Sequence, residues 1–301
     1  MTLNFKESDV PSQKGKTFLV TGANTGLGFH TTRVLAKQGA RVLMGCRNAE
    51  RAQKAREKIL AQHPAAELVY VHLDLGDLES IKKSAGVIEK EERLDGLINN
   101  AGIMVPPFEK TKDGFESQFG VNHLGTFALT HHLLDKLKHT KNARIINTSS
   151  NAHKMAKRID WDDLNAEKGY KKLKQYALSK LANLMHVYAL ERRFRQAGTD
   201  TIALAVHPGG SDTELSRHLG SFSKFLMPAA RPFLNSAAQG AWPTLLAATS
   251  SEVEGGEYFG PKGFMEIKGP ATRVDSTSYA KDVSAQEKLW SVSCALTALD
   301  P

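Results

Sequence analysis

Short apolar runs alternate with longer amphipathic stretches along this chain, the pattern of βα units arranged around a parallel sheet. The apolar runs predict strands at Thr17 to Thr21, Arg41 to Cys46, Glu67 to Leu73, Leu94 to Ile98, Ala143 to Thr148 and Thr201 to Val206. Helical periodicity fills the gaps, at Gly26 to Gln38, Ala49 to Gln62, Gly114 to Leu137 and Leu173 to Gln196. The second of these carries Arg51, Lys54, Arg56, Glu57 and Lys58 on its polar face, as a sheet-covering helix should. Gly39 stops the first helix and Pro64 closes the second. The stretch from Gly209 to Ser236 is the least regular, with Gly, Ser and Pro among apolar residues, and its length suits a functional lid. Ala237 to Thr249 reads as a helix, and Glu257-Tyr258-Phe259 as a short last strand. With no internal repeat or linker, residues 1–301 are expected to form one α/β domain.

Composition narrows the class. The 301 residues are 41% hydrophobic and 24% charged, enough for a substantial core and unlike a disordered chain. Cys46 and Cys294 are the only cysteines, which excludes a disulfide framework and a cysteine-rich zinc site. His131, His132, His153 and His207 lack metal-ligand spacing, so no metal is expected. The polar start, Met1 to Lys16, lacks the features of a signal peptide, and no apolar run reaches the roughly 18 residues of a membrane span. These features predict a reducing, cytoplasmic setting. The net charge of +8 would suit nucleic acid, an anionic membrane or a phosphorylated ligand. Basic residues are scattered along helices rather than gathered in a stripe, so no nucleic-acid partner is expected. The one cluster, Lys168, Lys171, Lys172 and Lys174, reads as a solvated segment or a partner site.

After the first strand comes Thr21-Gly22-Ala23-Asn24-Thr25-Gly26-Leu27-Gly28, running into a helix. Glycines in such a turn let backbone amides approach a pyrophosphate at the positive helix N-terminus. The spacing is Gly-x-x-x-Gly-x-Gly rather than the commoner Gly-x-Gly-x-x-Gly, and the Lys-Ser/Thr of a triphosphate loop is missing. The second strand ends in Met44-Gly45-Cys46-Arg47, with no carboxylate to hold an adenosine ribose. Arg47 can instead grip the extra phosphate of NADP, so NADP(H) is preferred, with NAD(H) possible. Asp74, before Leu75, would approach the adenine amino group; Asp74 or Asp77 could equally cap the next helix. Asn99-Asn100-Ala101-Gly102 ends the fourth strand with small residues that permit close approach of a ligand.

Tyr176 and Lys180 are four apart on a predicted helix and share a face. A phenol titrates near pH 10, and a neighbouring ammonium favours the phenolate, which suits Tyr176 to general acid–base work.

Thr21 to Gly28, Asn99 to Gly102, Asn122, Ser150 and Tyr176 to Lys180, in that order, resemble the short-chain dehydrogenase/reductase family over roughly Lys14 to Gly260. Gly45-Cys46-Arg47, Asn147 to His153 and Tyr176 to Asn183 are most similar to its retinol-dehydrogenase-like branch. The resemblance implies a Rossmann-type doubly wound sheet of about seven strands in the order 3-2-1-4-5-6-7, with helices on both faces. It implies catalytic roles for Asn122, Ser150, Tyr176 and Lys180: Ser150 on the reacting oxygen, Tyr176 on the proton, Lys180 lowering the phenol pKa and holding the nicotinamide ribose. Asn122 would anchor a water linking Lys180 to solvent, and Ser149 would be a turn residue. Gly22, Asn24, Thr25, Gly26, Leu27, Gly28, Arg47, Asp74, Leu75, Asn100, Ala101, Gly102, Tyr176, Lys180, Pro208, Gly209 and Thr213 would contact the cofactor. The substrate would be a hydrophobic alcohol or carbonyl under an apolar lid of Phe222, Phe225, Leu226, Met227 and Phe233. By resemblance the chain would be a homo-oligomer. A rival of another class is a non-catalytic NADPH-binding sensor or scaffold, whose mark would be loss of the Tyr or Lys retained here.

Overall fold

The computed structural model describes residues 3–210 and 234–300. A single sheet runs through it in the order β3-β2-β1-β4-β5-β6-β7-β8. Its strands are β1 Thr17–Thr21, β2 Arg41–Cys46, β3 Glu67–His72, β4 Gly96–Asn99, β5 Arg144–Thr148, β6 Ile202–Val206, β7 Tyr258–Pro261 and β8 Ala271–Val274. The first seven are parallel, and β8 returns antiparallel against β7. The expected order is therefore present with an eighth strand added at its edge. No extended alternation announces Ala271-Thr272-Arg273-Val274, and its pairing with β7 makes it a strand.

Successive side chains point to opposite faces of a strand, so a strand covered on both sides reads as a continuous apolar run. Leu19, Leu43, Leu97, Ile145 and Ala203 enter the core on one face. Phe18, Val20, Val42, Met44, Ile98, Ile146 and Leu204 enter the core on the other. The first face is covered by α3 (Leu78–Ile88), the interrupted helix that follows β4, α7 (Lys172–Ala197) and a C-terminal helix, Val283–Thr297. The second is covered by α1 (Gly26–Lys37), α2 (Ala49–Leu60) and the helix Trp242–Thr249. The strand β3 lies at the open edge, and its exposed Glu67, Tyr70 and His72 alternate with buried Leu68 and Val71.

The long helix expected over Gly114 to Leu137 is not continuous. It begins at α4 (Ser117–Phe119), widens into a π turn at Gly120–Leu124, and resumes as α5 (Gly125–His132) and α6 (Leu134–His139). In the π turn the Gly125 amide reaches back to the Gly120 carbonyl. Such turns occur mostly as local bulges, often at functional sites, and this one carries Asn122. Gly125 also packs so tightly on β3's exit that a Cβ there would lie 2.2 Å from the Leu75 carbonyl oxygen. A further correction is the last helix, Val283–Thr297, which the apolar pattern did not reveal. Thr213 and the proposed lid residues Phe222, Phe225, Leu226, Met227 and Phe233 lie outside the described residues.

Candidate active site

The C-terminal ends of β1, β2, β4 and β5 open into a cleft of about 700 Å³. Thr21, Gly22, Asn24, Thr25, Gly26 and Leu27 line it from the first βα turn. Thr25 precedes α1 with an extended backbone and makes no side-chain cap, and the first turn has no acidic residue. The helix N-terminus therefore keeps free amides and uncompensated positive charge, suited to an anion. Gly28 is behind the cleft: a Cβ there would lie 2.2 Å from the Gly22 carbonyl oxygen. Its lack of a side chain brings α1 hard against the turn. Thr21, which heads the glycine turn but was given no role of its own, ties the turn to β4, its Oγ1 accepting from the Asn100 and Ala101 amides at 3.0 and 2.9 Å. Asn100 Nδ2 donates back to the Thr21 carbonyl at 2.8 Å.

At the end of β2, Arg47 projects into the cleft with its side chain 76% exposed, 3.8 Å from Asp74 Oδ2. That separation and exposure make a weak pair, leaving the guanidinium free for an anion. Arg51 lines the same wall, although the periodicity marked it only as a surface residue. It was locally legible, because Asn48 Oδ1 accepts from the Arg51 amide at 2.8 Å and so starts α2 directly after Arg47. Asp74 lines the cleft while its Oδ1 accepts from the Gly76 amide at 2.9 Å. The cap of α3 is Asp77, which accepts from Glu79 and Ser80. Leu75, Asn100, Ala101, Gly102, Tyr176, Lys180 and Pro208 complete the predicted residues on the cleft wall. Ile103, Met104 and Pro106 add an apolar flank. Within this flank Val105 is held at φ +48, its amide donating to Gln118 Oε1 at 2.8 Å.

Tyr176, Lys180, Ser149 and Thr148 form the opposite end. Lys180 is 4% exposed, and its Nζ donates to the Thr148 carbonyl at 3.1 Å. Burial without an opposite charge pushes its pKa down to about 8. The ammonium lies 5.7 Å from the centre of the Tyr176 ring. Burial raises the Tyr176 phenol, against which the Ser150 hydroxyl pulls it down. Of the two, burial is the larger effect.

Ser150 caps the turn Asn151–Met155, its Oγ accepting from the Ala152 amide at 3.2 Å. Asn122 is fully buried behind Gly102, where a Cβ would meet its Oδ1 at 3.0 Å and Lys180 Nζ at 3.4 Å. Its Nδ2 donates to Ser179 Oγ at 2.9 Å and to the Ile103 carbonyl at 3.0 Å, and its Oδ1 accepts from the Ile103 amide. Asn122 therefore staples the apolar flank to α7. Ser149 is not a simple turn residue, since it is buried and its Oγ donates to the Lys180 carbonyl at 2.7 Å. Asn183, one turn beyond Lys180, donates to the same Thr148 carbonyl at 3.1 Å. Gly209 does not line the cleft. It packs against a loop after β7, where a Cβ would lie 2.4 Å from the Ile267 carbonyl oxygen. Among the described residues no group of His, Cys, Asp or Glu could hold a metal ion.

A nucleotide-sized cleft at strand C-termini, with a hydroxyl, a phenol and an ammonium gathered at one end, defines a dinucleotide-dependent oxidoreductase fold. Residues 16–223, more than half of the chain, match the short chain dehydrogenase family. The chain belongs to that family, whose members use NAD(P)H. Human retinol dehydrogenase 13 is 41% identical over 295 residues, covering 95% of this chain and 86% of the relative. Mouse retinol dehydrogenase 12 is 40% identical over 288 residues, covering 95% and 87%. A crystal structure of an uncharacterized protein from Mycobacterium paratuberculosis superposes with a TM-score of 0.83 at 36% identity, covering 99% of each chain. A short chain dehydrogenase from Burkholderia cenocepacia, solved in complex with NADP, has the same fold, with a TM-score of 0.64 at 24% identity over 81% of this chain and 95% of that one. No described helix is long and apolar enough to cross a membrane.

Proposed function

We propose that this chain is an NADP(H)-dependent oxidoreductase that interconverts a hydrophobic alcohol and its aldehyde or ketone. The observation that carries the reading is the meeting of Tyr176 and Lys180 at the end of a glycine-walled cleft, with the Ser150 hydroxyl against the phenol just outside the cleft lining and Arg47 and Arg51 on the far wall. The cleft fits the cofactor: α1 offers free amides to a pyrophosphate, the turn glycines leave backbone exposed, and β2 ends in a cation rather than a carboxylate. Arg47, helped by Arg51, would hold the extra phosphate, Asn100 to Gly102 would flank the ribose, and Pro208 would border the nicotinamide. A bound nicotinamide supplies or accepts the hydride.

In reduction, the carbonyl oxygen gains negative charge as the hydride arrives. The Ser150 hydroxyl donates a hydrogen bond to that oxygen, and Tyr176 gives it the phenolic proton. The Lys180 ammonium then stabilises the phenolate, holding it ready to recover a proton. Asn122 and Ser149 keep α7 and its two reacting side chains in place. Ile103, Met104 and Pro106 favour an apolar substrate, and the naming of the relatives as retinol dehydrogenases supports a hydrophobic alcohol or aldehyde. The test is NADPH oxidation followed by absorbance against carbonyls graded in size and polarity, with NADH in parallel. Turnover should favour NADPH and fall by about 10³-fold in Tyr176→Phe, within the usual range for a lost acid–base group. Tight NADPH binding without turnover of any carbonyl would overturn the reading.

A further inference from the structure

The loop between β7 and β8 has no part in the reading above, yet it touches both the turn that follows Ser150 and the segment that follows β6. Met265 and Glu266 occupy consecutive left-handed conformations, at φ +51 and +57. Side chains with a Cβ rarely adopt that region, and consecutive cases need support from their surroundings. The support is visible. The Met265 carbonyl accepts from Asn151 Nδ2 at 3.2 Å, and both Glu266 oxygens accept from Lys154 Nζ at 3.1 Å. Asn151 and Lys154 belong to the short turn that Ser150 caps.

On its other side Glu266 Oε2 lies 3.1 Å from Nε2 of the buried His207, which directly follows β6. His207 Nδ1 accepts from the Gly209 amide at 3.2 Å, so the ring proton is on Nε2 and faces the carboxylate. His207 and Lys154 together hold the Glu266 carboxyl below its ordinary range. Next along the loop, the Ile267 carbonyl accepts from the Gly210 amide at 3.0 Å. The buried Tyr258 ring lies beside both His153 and His207, with ring centres 5.7 and 5.3 Å away. His153 Nδ1 in turn lies 2.7 Å from the Ser150 carbonyl oxygen, which makes His153 a support of the serine turn.

We propose that Glu266 is a positioning residue, clamping the turn that carries Ser150 to the end of β6, from which the substrate-side segment departs. The idea rests on the proposed oxidoreductase reading for its effect on rate, but the clamp itself has a readout independent of turnover. Glu266 reaches Ser150 through Lys154, and reaches Gly209 and Gly210 through His207 and its own loop. Among the described residues its side-chain partners, Lys154 and His207, lie on neither the cleft wall nor the nucleotide end.

The test uses Glu266→Ala, Lys154→Ala and the double variant in the full chain. Hydrogen exchange should quicken at least tenfold at the amides of Ala152, His153 and Ala156 in each single variant, and at Gly209 and Gly210 in Glu266→Ala. Carbonyl reduction should lose about tenfold in kcat, NADPH affinity should stay within twofold, and the double variant should be no worse than Glu266→Ala. An ordinary half-exposed ion pair would change little on loss of the lysine, so Lys154→Ala alone separates a clamp from a surface contact. It also decides the matter should Glu266→Ala fail to fold. Unchanged exchange in the serine turn would overturn the proposal. So would single-variant losses in kcat that multiply in the double variant, or an NADPH affinity that falls as far as kcat. If the parent protein turned over no carbonyl, the oxidoreductase reading would fail while faster exchange at these amides would still establish the clamp.

Discussion

At the nucleotide end of the cleft the wall is largely backbone, with glycines in a turn and uncapped amides at the start of α1. At the other end buried side chains take over: Ser149 after β5 and Lys180 on α7 line it, with Asn122 on a π turn and Asn183 on α7 behind them. The first end solves a problem of approach, so what matters is the absence of side-chain atoms. The second must hold a proton donor and a cation away from water, so each polar atom needs a partner. Lys180 has a carbonyl and no carboxylate, and the fold bears the cost of a buried charge there. Glycine turns tolerate little addition, whereas the chemical end should gain stability when its charge is removed.

The largest expected effect is at the chemical end. Lys180→Met should cut turnover by 10² to 10⁴-fold, the usual range for an acid–base group, while making the protein more stable. Burial brings the Lys180 pKa from 10.5 to about 8. Between those values the unfolded chain holds a proton that the folded chain has shed. Stability therefore rises with pH across that window, and the burial cost is fully present below it. The shift corresponds to something on the order of 3 kcal/mol at neutral pH. Denaturant unfolding at pH 7 and pH 10 checks both claims: Lys180→Met should be the more stable at pH 7, and its advantage should shrink at pH 10. A less stable variant would show that Lys180 is stabilising and would erase the contrast between the two ends.

The nucleotide end should respond in the opposite sense. In Gly28→Ala the new Cβ would collide with the Gly22 carbonyl, and overpacking of this kind costs about 1–3 kcal/mol. Thermal unfolding should show the loss, and NADPH titration should show weakened binding as the turn is displaced. An unchanged affinity would mean that α1 can shift without disturbing the phosphate site. The narrowest effect is expected at Arg47, confined to one cofactor. Losing one charge-assisted contact, worth about 1.5–3 kcal/mol, should weaken NADPH by roughly ten- to a hundredfold in Arg47→Ala and leave NADH nearly unchanged. Equal losses for the two cofactors would remove the proposed preference, and a small NADPH loss would point to Arg51 as the principal phosphate contact.

The difference between the ends also decides what could be read from the chain. The strand–turn–helix of Thr17 to Lys37, the bare end of β2 and the spacing of Tyr176 and Lys180 are local, because backbone geometry within a few residues defines them. The apolar runs likewise marked the seven parallel strands and their two buried faces. The break in the helix at Gly120–Leu124 escaped notice, since a π turn leaves the apolar character of the surrounding helix intact. Strand β8 and the C-terminal helix were also missed, for lack of a strong period of their own.

Sequence alone thus determined the sheet's order through resemblance, the glycine turn, the cation after β2 and the identity of the Tyr–Lys pair. Only tertiary structure decided that Ser149 holds α7, that Gly28 and Asn122 stand behind the cleft, and that Glu266 meets Lys154 across 112 residues. The reason is physical: backbone conformation is chosen largely by near neighbours, whereas the partner of a buried polar group is whichever segment the completed fold brings within hydrogen-bond reach.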